Sequence, residues 1–159
     1  MIQAITETDL TTFIQTEDNR IDTSVASSKI RYLVKFTNDM NKSVQYAYSN
    51  VHLVYDRYTQ LSFTYNATPD VYEGKVNFIP SGYYKYEVYE VSWTGAVAIS
   101  AGNAPVNEND VLPVGATHGV VQGLVTKGKM YVSDKSTTQQ ITYNQHTQAS
   151  GNNYIYYGQ

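Results

Sequence analysis

From Lys29 onward the sequence alternates residue by residue. Ile30, Tyr32, Val34 and Phe36 hold one parity, and Arg31, Leu33, Lys35 and Thr37 hold the other. A period of two sends successive side chains to opposite sides of an extended backbone, so the run demands a strand with one buried face. Asn38-Asp39 closes it with turn chemistry. Further alternations hold Val51, Leu53 and Tyr55, then Leu61, Phe63 and Tyr65 ahead of Thr68-Pro69-Asp70, then Val76 and Phe78 ahead of Pro80-Ser81-Gly82. Short strands divided by short turns predict an all-β sandwich or barrel.

The next stretch, GYYKYEVYEVSW from Gly82 to Trp93, carries five aromatic rings in twelve residues, and its alternation contains a fault. Tyr84, Tyr86 and Val88 share one parity; Tyr89, Val91 and Trp93 share the other. Either the strand is buried on both faces, or a β-bulge near Val88 re-aims its second half. The bulge is the preferred expectation, because Lys85, Glu87, Glu90 and Ser92 would then all face solvent. Gly82-x-Tyr84-x-Tyr86 also resembles the corner of immunoglobulin-type domains, where a Tyr hydroxyl bonds back to nearby backbone. Tyr86 stands where an antibody domain has cysteine.

After Trp93 the composition shifts: Tyr is absent until Tyr131, and six of the ten glycines fall between Gly95 and Gly128. Pro105 and Pro113 interrupt a loop-rich connection, and Val120–Val125 with Met130–Val132 read as a hairpin turning at Lys127-Gly128. The expected architecture is an immunoglobulin-like β-sandwich within residues 1–93, its strands beginning near residue 24 behind an N-terminal extension that could be a helical turn or a strand. A smaller loop-rich β module with a C-terminal arm is expected over 94–159.

Charged residues make up 16 % of the 159, and 11 cations against 14 acids give a net charge of −3. Lys and Arg are scattered singly, so no run favours phosphate backbones and nucleic acid is not an expected partner. Cysteine is absent, which excludes disulfides, zinc-thiolate sites and thiol catalysis. No run of 18 apolar residues suggests a membrane span, and the start MIQAITETDL lacks the features of a signal peptide. The expectation is a soluble chain made in the cytoplasm. Asn41-Lys-Ser43 and Asn66-Ala-Thr68 match the glycosylation pattern but read better as turns.

A search for reagent groups finds little. His52, His118 and His146 lie far apart in sequence and in no metal-ligating spacing. Asn107-Glu-Asn-Asp110 clusters oxygen donors without the spacing of a calcium loop, and a solvated loop is the better reading. The glycines of HGVVQGLVTKG match neither phosphate-binding pattern. No catalytic residue, metal or cofactor is expected.

The tyrosines admit three accounts. Alternate Tyr in strands half-fill a core while the hydroxyl stays wet, and this fits most of those before residue 90. Planar exposed rings could instead form a sugar platform. The third account is protein contact, where Tyr and Trp carry disproportionate binding energy. The candidate interface residues are Trp93, Tyr154, Tyr156 and Tyr157, the last three in the aromatic tail GNNYIYYGQ. For Trp93 the competing reading is that it simply closes the bottom of the sandwich.

Lys35–Met40, Gly82–Trp93, His118–Val125, Gly128–Val132 and Asn153–Gln159 together resemble small structural proteins of tailed bacteriophages, particularly crAss-like phages and relatives infecting Bacteroidetes. The resemblance implies a virion component without catalytic activity, an auxiliary or decoration protein seated on the head, with neck and tail placement as alternatives. Its implied partners are other virion proteins, foremost the major capsid protein, with self-association also open. A carbohydrate-binding or adhesin-type sandwich is the rival reading.

Overall fold

The computed structural model describes residues 1–136. Among them are nine strands: β1 (Ile2–Ile5), β2 (Leu10–Ile14), β3 (Ile30–Asn38), β4 (Val44–Tyr48), β5 (Val51–Val54), β6 (Thr59–Tyr65), β7 (Lys75–Val76), β8 (Gly82–Ser92) and β9 (Val120–Ser133). A five-stranded sheet has the order β1-β9-β8-β3-β4, and a second sheet has the order β2-β6-β5, with β7 alongside β6. The protein is all-β, with its sheets packed in a sandwich-like arrangement. The N-terminal residues expected as an extension supply β1, parallel to β9, and β2, antiparallel to β6.

Alternation builds the core between the sheets. Tyr32, Val34 and Phe36 of β3 meet Leu61 and Phe63 of β6, joined by Phe78, Tyr84, Val88 and Met130. Edge-on aromatic contacts run from Phe63 to Phe36 at 5.5 Å, on to Phe78 at 5.0 Å, and to Tyr84 at 5.7 Å. Each such side chain contributes about 1.5–3 kcal/mol by leaving water, and edge-to-face pairs add to that. The Tyr84 hydroxyl donates to the Pro80 carbonyl at 2.7 Å, tying the start of β8 to the turn before it.

The fault in β8 resolves toward the reading that was not preferred. Its register with β3 is unbroken from Tyr84 to Ser92. Two irregularities do occur, at Val88/Tyr89 and Glu90/Val91, but the unpaired residues there, Val125 and Gln122, belong to β9. Tyr84 and Val88 face the core between the sheets, whereas Val91 and Trp93 face a second apolar cluster with Leu33, Tyr48 and Ala104. The second half of β8 is thus buried on both faces, and the cover on its outer side is the connection from residue 94 to 119. That connection is tied down by Tyr48, whose hydroxyl donates to the Pro105 carbonyl at 2.9 Å, and is folded on itself by the Gly119 N–H donating to the Asn103 carbonyl at 2.8 Å.

Glu90, expected in solvent, is 0 % exposed. Its carboxylate accepts from the backbone N–H groups of Ile21 and Asp22 at 2.9 and 2.7 Å, which supply the hydrogen bonds that a buried charge requires. The expected hairpin is also absent: Val120 to Ser133 is one strand, paired along its length with β8, so chain from both sides of residue 94 shares one sheet. Gly128 makes no turn. It stands opposite Tyr86, and a Cβ there would lie 2.6 Å from the Tyr86 hydroxyl, so the ring covers the glycine as aromatic side chains do for strand glycines.

Candidate interaction surfaces

Trp93, expected at an interface, is instead wholly enclosed, at 0 % exposure. It directly follows β8, and its indole edge rests on Gly119, where a Cβ would come within 2.6 Å of the ring. Among the described residues the indole N–H has no hydrogen-bond partner, a cost the surrounding apolar packing must offset. Tyr154, Tyr156 and Tyr157 lie outside the described residues.

The strand tyrosines range from fully buried to exposed. Tyr32, Tyr48 and Tyr84 are core residues, and burial pushes the Tyr32 hydroxyl up to about 12. Against Tyr32 lies His52 of β5, its ring stacked at 5.4 Å and 11°. Burial, and then the neighbouring Arg31 charge, lowers the His52 pKa to about 4, so the imidazole is neutral at pH 7. Among the described residues no group of three or more His, Asp and Glu side chains is placed to hold a metal ion. Glu87 and Glu90 point to opposite sides of β8, the first toward Lys35 and Lys85, the second toward the Ile21–Asp22 backbone.

The Asn107–Asp110 segment, expected as a solvated loop, works as a clamp. The Glu108 carboxylate accepts from the Lys35 ammonium of β3 and the Tyr46 hydroxyl of β4. Burial opposes its charge, but those two hydrogen bonds hold Glu108 below the usual carboxylate range. The same contacts raise Lys35, chiefly through Glu108. Burial and then Glu108 push Tyr46 to about 12. Asp110 closes the loop on itself by accepting from the Val106 N–H at 3.0 Å.

The rings that remain free lie elsewhere. β2 buries Leu10, Thr12 and Ile14, so its other parity, Thr11 and Phe13, points away from the core. Phe13 shares a row with Gln60 and Leu53, and Thr11 shares the next with Ser62 and Val51. Phe13, 60 % exposed, packs edge-on against Tyr58 at 5.4 Å, and Tyr58 lies 4.9 Å from Tyr55 at a tilt of 37°. Both tyrosines sit at the β5–β6 turn, where the Tyr55 N–H donates to the Tyr58 carbonyl. With Val51 and Leu53, also exposed, these rings form an apolar face on the outside of the smaller sheet. Period-two parity could have found Phe13, since it opposes Leu10 and Ile14 only if residues 10–14 are a strand; the open choice between helix and strand hid it.

A second exposed ring pair, Tyr83 and Tyr131, lies on the outer side of the five-stranded sheet at 5.1 Å and 53°. None of these exposed pairs is coplanar: the Phe13–Tyr58 angle is 89°. Comparison with known proteins found no matching family, curated relative or solved structure.

Proposed function

We propose that this chain is a non-enzymatic binding module with an immunoglobulin-like sandwich, serving as a structural subunit of a phage particle, foremost an auxiliary protein on the head. Strand order supports the immunoglobulin-like part. β2, β6 and β5 follow the order of strands B, E and D, and β9, β8, β3 and β4 follow that of G, F, C and C′ in variable-type domains. The Tyr84 hydroxyl bonded to the carbonyl four residues upstream matches the tyrosine corner of that fold. The segment resemblance described above supplies the phage part of the reading.

The observation that carries the contact reading is the Phe13–Tyr58–Tyr55 cluster with Val51 and Leu53 on the open face of the smaller sheet. Contiguous exposed apolar surface marks association sites, and aromatic anchors contribute most of the energy there. A surface repeated on a lattice needs only modest affinity per copy. The rival sugar-binding reading calls for coplanar rings on which a pyranose can stack, and edge-on or tilted pairs at 89°, 37° and 53° favour protein contact over it.

Quantitative mass spectrometry of purified particles tests the assignment. A fixed copy number relative to the major shell subunit, surviving repeated density-gradient purification, is the expected result. Absence from purified particles would refute the virion role, and selective capture on a glycan array would favour the adhesin reading.

A further inference from the structure

The described residues cover only half of the outer face of the five-stranded sheet. Past the row of Leu33, Tyr48 and Tyr89 that the 94–119 connection closes, the cross-strand pairs of β8 and β9 continue as Glu87 with Lys127, Lys85 with Lys129, and Tyr83 with Tyr131. Tyr83 is 54 % exposed. Lys85 and Lys129 stand directly opposite each other, a like-charge arrangement that costs stability across a strand pair. Each turns to an acid instead, Lys85 to Glu87 at 2.8 Å and Lys129 to Asp39. Lys42 also acts on Asp39, from the turn between β3 and β4.

Lys35, Lys42, Lys85, Lys127 and Lys129 lie on or beside this half of the face with Asp39, Glu87 and Glu108, a local net of +2 on a chain whose total is −3. A positive, ring-bearing face on an acidic chain calls for a negative partner. We infer that the open half of this face, centred on Tyr83, Lys85, Lys129 and Tyr131, docks a carboxylate-rich protein surface. Tyr83 and Tyr131 supply apolar area beside the charges, as interface tyrosines do.

A phosphate backbone fits less well. Asp39 and Glu87 sit among the lysines and would repel a continuous row of phosphates. The cations of the open half of this face are all lysines, without the forked guanidinium that grips phosphate; Arg31 lies at the covered end of β3, opposite Val91. Spaced carboxylates on a folded partner can instead meet Lys85, Lys127 and Lys129 singly. This face lies on the opposite sheet from the Phe13 cluster, so the inference stands independently of the proposed function.

The test uses the full chain and immobilised poly-L-glutamate as the probe at low salt. The expected result is retention that weakens as NaCl is raised, a loss of about tenfold in affinity in K85Q/K129Q, and no change in K75Q on the other sheet. The melting temperature of K85Q/K129Q should stay within a few degrees of the parent's, because relief of the like-charge opposition offsets the lost exposed pairs to Glu87 and Asp39; a merely structural role for the two lysines predicts a clear decrease. Several results would overturn the inference: no retention, equal retention by K85Q/K129Q, equal loss in K75Q, or duplex DNA bound as tightly as polyglutamate. Concentration-dependent self-association abolished by K85Q/K129Q would also overturn it, identifying a second copy as the occupant.

Discussion

Gly119 is a glycine because Trp93 and Val91 occupy the space where its side chain would go. A Cβ there would lie 2.6 and 2.8 Å from indole atoms and 2.9 Å from Val91. The indole is enclosed and cannot swing aside, so G119A should destabilise the fold by about 1–3 kcal/mol, read as a lowered denaturant midpoint with an unchanged slope. His52 makes a second prediction at this scale. Its folded pKa, near 4, lies below its ordinary 6.5, so on acidification the unfolded state takes up the proton first. Stability is therefore full above about pH 7 and declines as pH falls from 6.5 toward 4, with about 1 kcal/mol lost by pH 5.5. H52F, which keeps a ring against Tyr32, should flatten the difference between melting temperatures at pH 7.5 and 5.5. A wild-type difference that H52F leaves unchanged would assign the acid sensitivity to other groups.

Two segments without regular strand are each anchored in part by one carboxylate, and each anchor can be tested by replacing one atom. Glu90 accepts from two backbone N–H groups of the loop before β3. E90Q keeps one acceptor oxygen but loses the charge and the second acceptor, and should cost about 1–3 kcal/mol while speeding amide exchange at Ile21 and Asp22. Glu108 clamps the 94–119 connection to Lys35 and Tyr46. Because the Glu108 pKa is depressed, its contribution is present above the ordinary carboxylate range and is lost as pH falls through its folded value. Because the Lys35 pKa is raised, its share is present below the ordinary lysine value and is lost as alkali is added. E108Q should speed amide exchange across residues 94–119 at neutral pH and abolish the acid-induced part of that opening.

Strands such as β3 and β6 were legible because one parity is apolar and the opposite one largely polar. β8 and β9 were not, because the signal came from the cover: Tyr89, Val91 and Trp93 are apolar on the outer parity because the connection that follows them folds back over them. Glycine in β9 looked like a turn residue for a related reason. The ring that occupies its missing side-chain volume belongs to Tyr86, 42 residues earlier in the sequence and directly across the sheet. Glu90 was placed in solvent by its charge, and only the meeting of β8 with the loop at Ile21 reveals the donors that make its burial tolerable.

At the scale of the whole molecule, the two sheets present different chemistry to the outside. The smaller sheet shows Phe13, Tyr55, Tyr58 and Leu53, and the larger shows lysines flanking Tyr83 and Tyr131. Both faces offer rings at a surface, and among the described residues neither gathers three or more His, Asp or Glu side chains placed to hold a metal ion. The account therefore rests on contact through the apolar face, and the most direct test is retention of F13S/Y58S on purified particles relative to the parent chain. Both side chains point outward, so the melting temperature should hold within a few degrees while particle-bound copies fall at least about tenfold, the loss expected when two aromatic anchors are removed. Full retention of F13S/Y58S on particles would contradict the account.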